Sequence, residues 1–244
     1  MGLTKRTVSK LFHPIKINET EIKNRIAMAM GMDGMVTDDG CFTKRARDYY
    51  VEKAMEGTGL IISSVTKVEH KIEVIERGTF PNVSIKPIHF IETASEMTER
   101  VHAYDSKIFL KLAVGFGRVA SLHILKSKPV APAAVPNYWD PSVTCRKLTA
   151  AEIEKLIQKT IEAAVIANKA GFDGVKIHAV HDAVHEGYLL DQFEKDRFNN
   201  RTDNYGGKLK NRLRLSSEIV KGIKNKLGKD FPVQGRKSVN EHLK

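Results

Sequence analysis

The 244-residue sequence contains few cysteines, few aromatic residues and no long apolar run. Its two cysteines, Cys41 and Cys145, lack metal-binding spacing and are too few for a disulfide framework, so a reducing, cytoplasmic setting is expected. No stretch of about 18 apolar residues occurs, so no membrane-spanning helix is expected. The first residues lack the apolar segment of a secretory signal, and none is predicted.

Acidic residues are also scarce, with 29 Asp and Glu against 40 Lys and Arg and a formal net charge of +11. A basic balance is typical of proteins that bind nucleic acids, anionic membranes or anionic small molecules. Here the basic residues are spread through predicted helices and loops, without a basic arm or an RNA-binding aromatic motif. We therefore expect a lysine-rich solvated surface, a small-molecule substrate, and neither nucleic acid nor membrane as a partner.

Short buried strands alternate with amphipathic helices along the chain. A hairpin is predicted around Asn18 and Glu19, and the apolar runs predict strands at 26–30, 59–64, 108–113, 175–177 and from 231 onwards. Helical spacing predicts helices at 43–57, 88–104, 149–170 and 209–227. Because each helix ends just before a strand, the pattern favours a parallel α/β sheet, either doubly wound or a (β/α)8 barrel.

Two further segments have distinct local signals. Thr149 and Glu152 have capping-box spacing, and an apolar stripe that includes Ile153, Leu156 and Ile161 follows them. Residues 115–145 contain four prolines and Trp139. A loop of that length is more often a functional lid or binding loop than a plain connection.

Three histidines and a tyrosine follow the fourth predicted strand, at His178, His181, His185 and Tyr188. Histidines at such spacing can be metal ligands or hydrogen-bond donors. The nearby carboxylates Asp182, Glu186 and Asp191 have no recognised ligand spacing, and Leu189 stands where an HExxH motif needs histidine. We expect no metal at this site.

Nine segments together make the sequence recognisable as one family. They are LFHPIKI, KNRIAMAMG, GLIISS, FLKL, AGFDGVKIHAVH, HEGYLLDQF, NNRTDNYGG, NRLRLSSEIV and FPVQGR, in this order over almost the whole chain. The sequence resembles the Old Yellow Enzyme family of FMN-dependent NADH:flavin oxidoreductases, in its branch of 2-enoate reductases and 2,4-dienoyl-CoA reductase-like enzymes. The resemblance implies a (β/α)8 TIM barrel with FMN over the C-terminal strand ends. It also implies hydride transfer from reduced flavin to the C=C bond of an enoate or enoyl thioester, with NADH or NADPH as donor.

The resemblance also implies roles for particular residues. The expected flavin contacts are Ala29, Met30, Gly31, Ser63, Ser64, Lys111 and Arg236. Lys111 stands where the family usually has a glutamine, and Arg236 matches an arginine near the flavin N1/O2 edge. A pair of histidines would bind the substrate oxygen, and Tyr188 would protonate the α-carbon as general acid. The NNRTDNYGG segment is expected to be a structural loop.

Besides Lys111, the sequence departs from the family pattern in two further ways. Residues 178–185 read HAVHDAVH, where the family has a single HxxH before the tyrosine, so the histidine pair is His178 with His181 or includes His185. Residues 1–244 are expected to form one FMN-binding TIM-barrel domain that is incomplete at its C-terminus, with about five strands. The iron–sulfur cysteines and FAD domain of longer relatives are not expected here. The alternatives are a non-catalytic half-barrel that needs a partner chain or a second copy, and an inactive truncated product.

Overall fold

A computed structural model describes residues 10–29, 35–179 and 187–236. Its strands are β1 (Ile15–Ile17), β2 (Thr20–Ile22), β3 (Ala27–Met28), β4 (Leu60–Lys67), β5 (Lys107–Ala113), β6 (Val130–Ala131), β7 (Arg146–Lys147), β8 (Gly174–His178) and β9 (Val233–Arg236). Its helices are α1 (Lys44–Met55), α2 (Pro87–His102), α3 (Ala150–Lys169), α4 (Leu189–Glu194), α5 (Leu209–Arg212) and α6 (Arg214–Leu227).

The main sheet has five strands in the order β3-β4-β5-β8-β9, and every pair of neighbours is parallel. Each strand therefore pairs with the next main-sheet strand along the chain. A doubly wound sheet reverses its strand order at a switch point, whereas a (β/α)8 barrel keeps the order sequential. The sheet is thus a half-barrel of the TIM type, and this confirms the barrel alternative predicted from the sequence.

The two faces of the half-barrel bury different residues. Ile108, Leu110 and Leu112 of β5, with Val175 and Ile177 of β8, pack into the large core that the sheet shares with the helices. Because side chains alternate along a strand, the intervening residues point to the opposite side, here called the interior face. The N-terminal hairpin packs on this face, since Ile22 of β2 forms a separate cluster with Leu60, Ile62 and Phe109.

The capping box of α3 has the predicted geometry. The Thr149 side chain accepts a hydrogen bond from the Glu152 backbone N–H, and the Glu152 side chain accepts one from the Thr149 N–H. The Thr149 hydroxyl thus pairs with one of the backbone N–H groups that have no partner in the first turn of a helix, and the Glu152 carboxylate pairs with the N–H of Thr149, the N-cap residue. The predicted apolar stripe is buried along the whole helix, so α3 supports the outer side of β5 and β8.

Several predicted boundaries differ from the structure. Within the described residues β3 covers only Ala27–Met28, while β4 continues to Lys67, past the predicted end at Ser64. The helix predicted at 209–227 is divided at Leu213 into α5 and α6. The short helix α4 was not predicted, because the sequence suggested only an apolar stretch there. No helix in the described ranges combines the length and apolar character needed to cross a membrane.

Candidate functional site

The C-terminal ends of the strands bring several predicted site residues together. Strand register aligns Lys111 of β5 with Lys176 of β8, and His178 of β8 with Arg236 of β9. All four lie at alternate positions to the helix-facing residues, so they share the interior face. His178 and Lys111 are almost completely buried. This edge is where enzymes with parallel barrels place their active sites.

His178 and Tyr188 are in direct contact. Their rings meet edge to face, with centroids 4.8 Å apart and planes at 87°. The Tyr188 backbone N–H donates a 2.8 Å hydrogen bond to the Ala179 carbonyl, so the chain returns to the end of β8 at this residue. His178 and Tyr188 are therefore in contact even though the HAVHDAVH stretch is longer than the single HxxH of the family. His181 and His185, the two other candidates, lie outside the described residues.

The segment after β5 supports Tyr188 from the other side. The Phe116 ring packs against the Tyr188 ring with centroids 4.8 Å apart. The buried Gln192 side chain of α4 donates to the Gly187 and Phe116 carbonyls and accepts from the Arg118 N–H. The Gln192 side chain thus holds the backbone of Gly187, which precedes Tyr188, together with the backbone of Phe116 and Arg118. Gly117 has a φ of +66°, and a Cβ atom there would collide with Gln192, so glycine is required at this point.

A buried ion pair anchors the same segment to β4. The Glu73 carboxylate accepts hydrogen bonds from the Phe116 and Gly117 N–H groups at 2.9 Å. Lys67 Nζ lies 2.5 Å from Glu73 Oε2, and both side chains are almost fully buried. Removing one partner of such a pair leaves an uncompensated charge, which is strongly destabilising. The position of Phe116 against Tyr188 is therefore fixed by charge as well as by packing.

Positive charge accumulates on the interior face. Burial lowers the pKa of Lys176, and the nearby Arg236 guanidinium lowers it further. Lys111 is the register partner of Lys176 on the neighbouring strand, where opposite Cβ atoms lie about 5 Å apart. Three basic residues from three adjacent strands therefore lie close together on this face, and this arrangement favours an anionic or electron-rich ligand.

The predicted contacts on β4 have a structural role in the sheet. The β4–β5 register shifts between Ile62 and Val65, which marks a β-bulge at Ser63 and Ser64. Ser63 Oγ accepts the Lys111 N–H at 3.0 Å, and the Ser64 N–H donates to Tyr50 Oη at 2.7 Å. These bonds satisfy groups that the bulge would leave unpaired. Whether either serine contacts a flavin stays a prediction.

The remaining predicted contacts belong to the end of β3. Ala29 is exposed just beyond this strand. Met30 and Gly31 lie outside the described residues. Within the described residues, the predicted flavin contact at the end of β3 therefore depends on Ala29 alone.

The NNRTDNYGG segment is a structural loop, as predicted. The Asn199 side chain donates to the Phe193 and Tyr205 carbonyls. The Arg201 guanidinium donates to the Pro132 and Leu148 carbonyls and pairs with Asp203. Through these hydrogen bonds the loop connects α4 to the segment that precedes α3.

One group of potential metal ligands occurs in the described part of the chain, formed by Asp39, Cys41 and His89. Asp39 already has a cationic neighbour, because Lys86 Nζ lies 3.5 Å from its Oδ2. Burial raises the pKa of the Cys41 thiol, which disfavours the thiolate that a metal would need. We assign no metal to this group.

Comparison with known proteins agrees with the fold. Residues 10–244 match the sequence profile of the NADH:flavin oxidoreductase / NADH oxidase family. The match covers nearly all of the chain, and the chain belongs to this family. The resemblance inferred from the nine sequence segments is thereby confirmed.

Individual relatives extend this result. The cinnamate reductase of Clostridium sporogenes is 52% identical over 235 residues, which are 96% of this chain and 35% of that protein. The NADH oxidase of Thermoanaerobacter brockii is 35% identical over 96% of this chain and 34% of its own length. The structure of an Old Yellow Enzyme homologue from Zymomonas mobilis superposes with a TM-score of 0.80 at 33% identity, covering 95% of this chain and 64% of that one. The chain thus spans about one third to two thirds of the length of these proteins.

Sequence reasoning missed several residues of the site. The sequence places Lys176 within the apolar run that predicts the strand at 175–177, although it lies two positions before His178 and so shares its face. Phe116 and Glu73 lie in none of the nine family segments, and Gln192 lies in HEGYLLDQF without a predicted role of its own. Their contacts with Tyr188 and its neighbours join segments that are distant in sequence, and only the fold brings these together.

Proposed function

We propose that this chain is the FMN-binding part of an ene reductase, which transfers hydride from reduced flavin to the C=C bond of an enoate or enoyl thioester. NADH or NADPH would reduce the flavin. The observation that carries the proposal is the contact of His178 with Tyr188 beside the cationic interior face. The named relatives support it, because cinnamate is an aryl-substituted enoate.

The residues on the interior face fit a flavin. FMN supplies the hydride when it is bound and reduced. Lys111 and Arg236 come from strands on either side of β8, and their charges favour the electron density that the ring gains on reduction. Lys176 adds a third positive charge to the same region. These three residues would hold the electron-rich edge of the ring.

His178 and Tyr188 would act on the substrate. An imidazole N–H of His178 would donate to the carbonyl or carboxylate oxygen, where negative charge develops as the β-carbon receives hydride. Tyr188 Oη would donate a proton to the α-carbon. The contacts from Phe116 and Gln192 hold this tyrosine in place, which matters because a misplacement of 1 Å can cost about 100-fold in rate.

The test uses the 244-residue polypeptide reconstituted with FMN. We expect stoichiometric flavin absorbance and loss of an enoate that depends on NADH or NADPH. Tyr188→Phe should lower turnover by about 10²- to 10⁴-fold, because the general acid is lost while its packing surface is retained. Flavin binding should be unchanged in this variant. Tyr104→Phe, in the turn before β5, is the matched control and should keep full activity.

Two results would count against the proposal. One is flavin binding without any reduction of enoates by either nicotinamide donor. The other is a Tyr188→Phe variant with the turnover of the parent chain. The first result would favour a non-catalytic half-barrel, a second candidate that is motivated by the sheet edges at β3 and β9, which pair with no further strand among the described residues. The second result would exclude Tyr188 as the general acid.

A further inference from the structure

A small cavity lies beside Tyr188 at the C-terminal end of the half-barrel. Its volume is about 160 Å³. Its walls are mostly aromatic or aliphatic, formed by Phe80, Phe116, Val119, Ile124, Trp139 and Tyr188, with Ser121 adding an aliphatic-alcohol side chain to the lining. Phe116, Val119, Ile124 and Trp139 come from residues 115–145, which the sequence predicts to be a lid or binding loop.

The size and lining of the cavity match a single aromatic ring. An enclosed apolar cavity of about 150 Å³ in another protein binds benzene, and the cavity beside Tyr188 has a similar volume but is partly open to solvent. Aromatic walls add edge-to-face contacts for a bound ring. Phe116 already makes an edge-to-face contact with Tyr188, with centroids 4.8 Å apart, and a tilted contact with Phe80, with centroids 5.1 Å apart. A ring in this cavity would complete the same cluster.

The walls are held in place before any ligand binds. Trp139 Nε1 donates a 2.8 Å hydrogen bond to the Val119 carbonyl, which joins two walls directly. The Phe116 backbone is fixed by Glu73 and Gln192. A preformed cavity loses less conformational entropy on binding, so more of the contact energy contributes to affinity.

We propose that this cavity, here named the aryl cavity, binds the aromatic ring of the substrate, and that the substrates are 3-arylpropenoic acids or their thioesters rather than aliphatic enoates. Tyr188 is both a wall of the cavity and a contact of His178. A ligand whose ring occupies the cavity therefore has its unsaturated chain beside these two residues. The inference rests on the proposed function for the reaction but not for ring binding.

The chain contains its own reporter for binding. Trp139 is its single tryptophan, so the intrinsic fluorescence reports on the wall of the aryl cavity. The probe is 3-phenylpropanoate, which has the ring and the carboxylate but no C=C bond to reduce. Hexanoate has the same charge and no ring. We expect a saturable change in Trp139 emission and at least about tenfold tighter binding of 3-phenylpropanoate than of hexanoate.

Val119→Phe fills the cavity and should weaken 3-phenylpropanoate binding at least about tenfold. Ile88→Phe adds the same ring on an exposed position of α2 and should change nothing. If Val119→Phe does not fold, Phe80→Leu tests the same idea by enlarging the cavity. This variant should improve the binding of 3-(2-naphthyl)propanoate relative to 3-phenylpropanoate.

The outcomes separate this inference from the proposed function, because ring binding needs neither FMN nor a nicotinamide donor. Ring-selective binding without turnover would support the aryl cavity and contradict the ene-reductase activity. Equal binding of hexanoate and 3-phenylpropanoate, or equal turnover of crotonate and cinnamate, would overturn the aryl cavity and leave the activity standing. Unchanged affinity in Val119→Phe would also overturn it.

Discussion

At the scale of single residues, Lys111 on the interior face departs from the family pattern. Lys111 replaces the glutamine that the resemblance implies, and its register partner Lys176 adds a second ammonium group on the next strand. A flavin gains negative charge when it is reduced, so nearby cations raise its reduction potential. The two lysines should therefore make this site more oxidising than one with a neutral amide.

We predict that Lys111→Gln lowers the two-electron reduction potential of bound FMN by at least about 30 mV, which corresponds to tenfold in the reduction equilibrium. The measurement is equilibration with a reference dye during slow reduction. Lys176→Gln should shift the potential in the same direction. Lys169→Gln, on the exposed surface of α3, should leave it unchanged. A potential equal to or above that of the parent chain would contradict the argument.

The residues of the site differ in how far the sequence could reveal them. His178, Tyr188, Lys111 and Arg236 stand in recognisable motifs, and the structure brings them to one face of the sheet. Glu73 could not be found in this way, because its role is to accept hydrogen bonds from two backbone N–H groups more than forty residues further along the chain. Such a bond depends on the completed fold.

At the scale of elements, the start of α3 combines a helix cap with an ion pair. The Arg146 guanidinium binds both Glu152 oxygens at 2.8 and 2.9 Å, and the Thr149 N–H donates to one of them. Hydrogen bonding to Arg146 lowers the pKa of Glu152 from 4.5 to about 2, against the opposing effect of partial burial and with help from Thr149. The ionised carboxylate therefore stabilises the folded state.

We predict that Glu152→Gln lowers the free energy of unfolding by about 1–2 kcal/mol near neutral pH, from loss of the charged cap and a partly exposed ion pair. The folded-state pKa is depressed, so this stabilisation is present above pH 4.5 and is lost as the pH falls towards about 2. Urea unfolding of both proteins across this range measures the difference. Glu162→Gln, on an exposed position of the same helix, is the control. A difference that does not change with pH would contradict the assignment.

Elements were predictable where their causes are local. The capping box lies within four residues, and the stripe of α3 repeats over its whole length, so both could be read from the sequence. The bulge at Ser63 and Ser64 could not, because it is a mismatch between β4 and β5 rather than a property of either strand. Helix α4 is only six residues long and depends on Gln192 reaching the segment after β5.

At the scale of the whole molecule, strand β9 lies at the edge of the sheet that the described residues form. Val175 N–H donates to the Pro232 carbonyl and Ala179 N–H to the Arg236 carbonyl. In a parallel register, these bonds mean that the N–H and C=O groups of Gln234 and Arg236 point toward β8 and hydrogen-bond to it. The N–H and C=O groups of Val233 and Gly235 therefore face away from the sheet. Open strand edges of this kind pair readily with another chain.

We predict that a polypeptide of these 244 residues self-associates through the edge at β9, and that Gly235→Pro reduces the association without unfolding the chain. Proline removes an N–H group, and at position 235 that group points outward, where an edge strand tolerates the loss. Gln234→Pro is the matched control, because it removes an N–H group that bonds to β8 and should destabilise the fold. Light scattering over a range of concentrations measures association, and circular dichroism measures folding. The contrary result is a parent chain that is monomeric at every concentration and unfolds cooperatively. It would show that the edge at β9 is covered. It would also remove the main observation that favours a half-barrel in need of a partner.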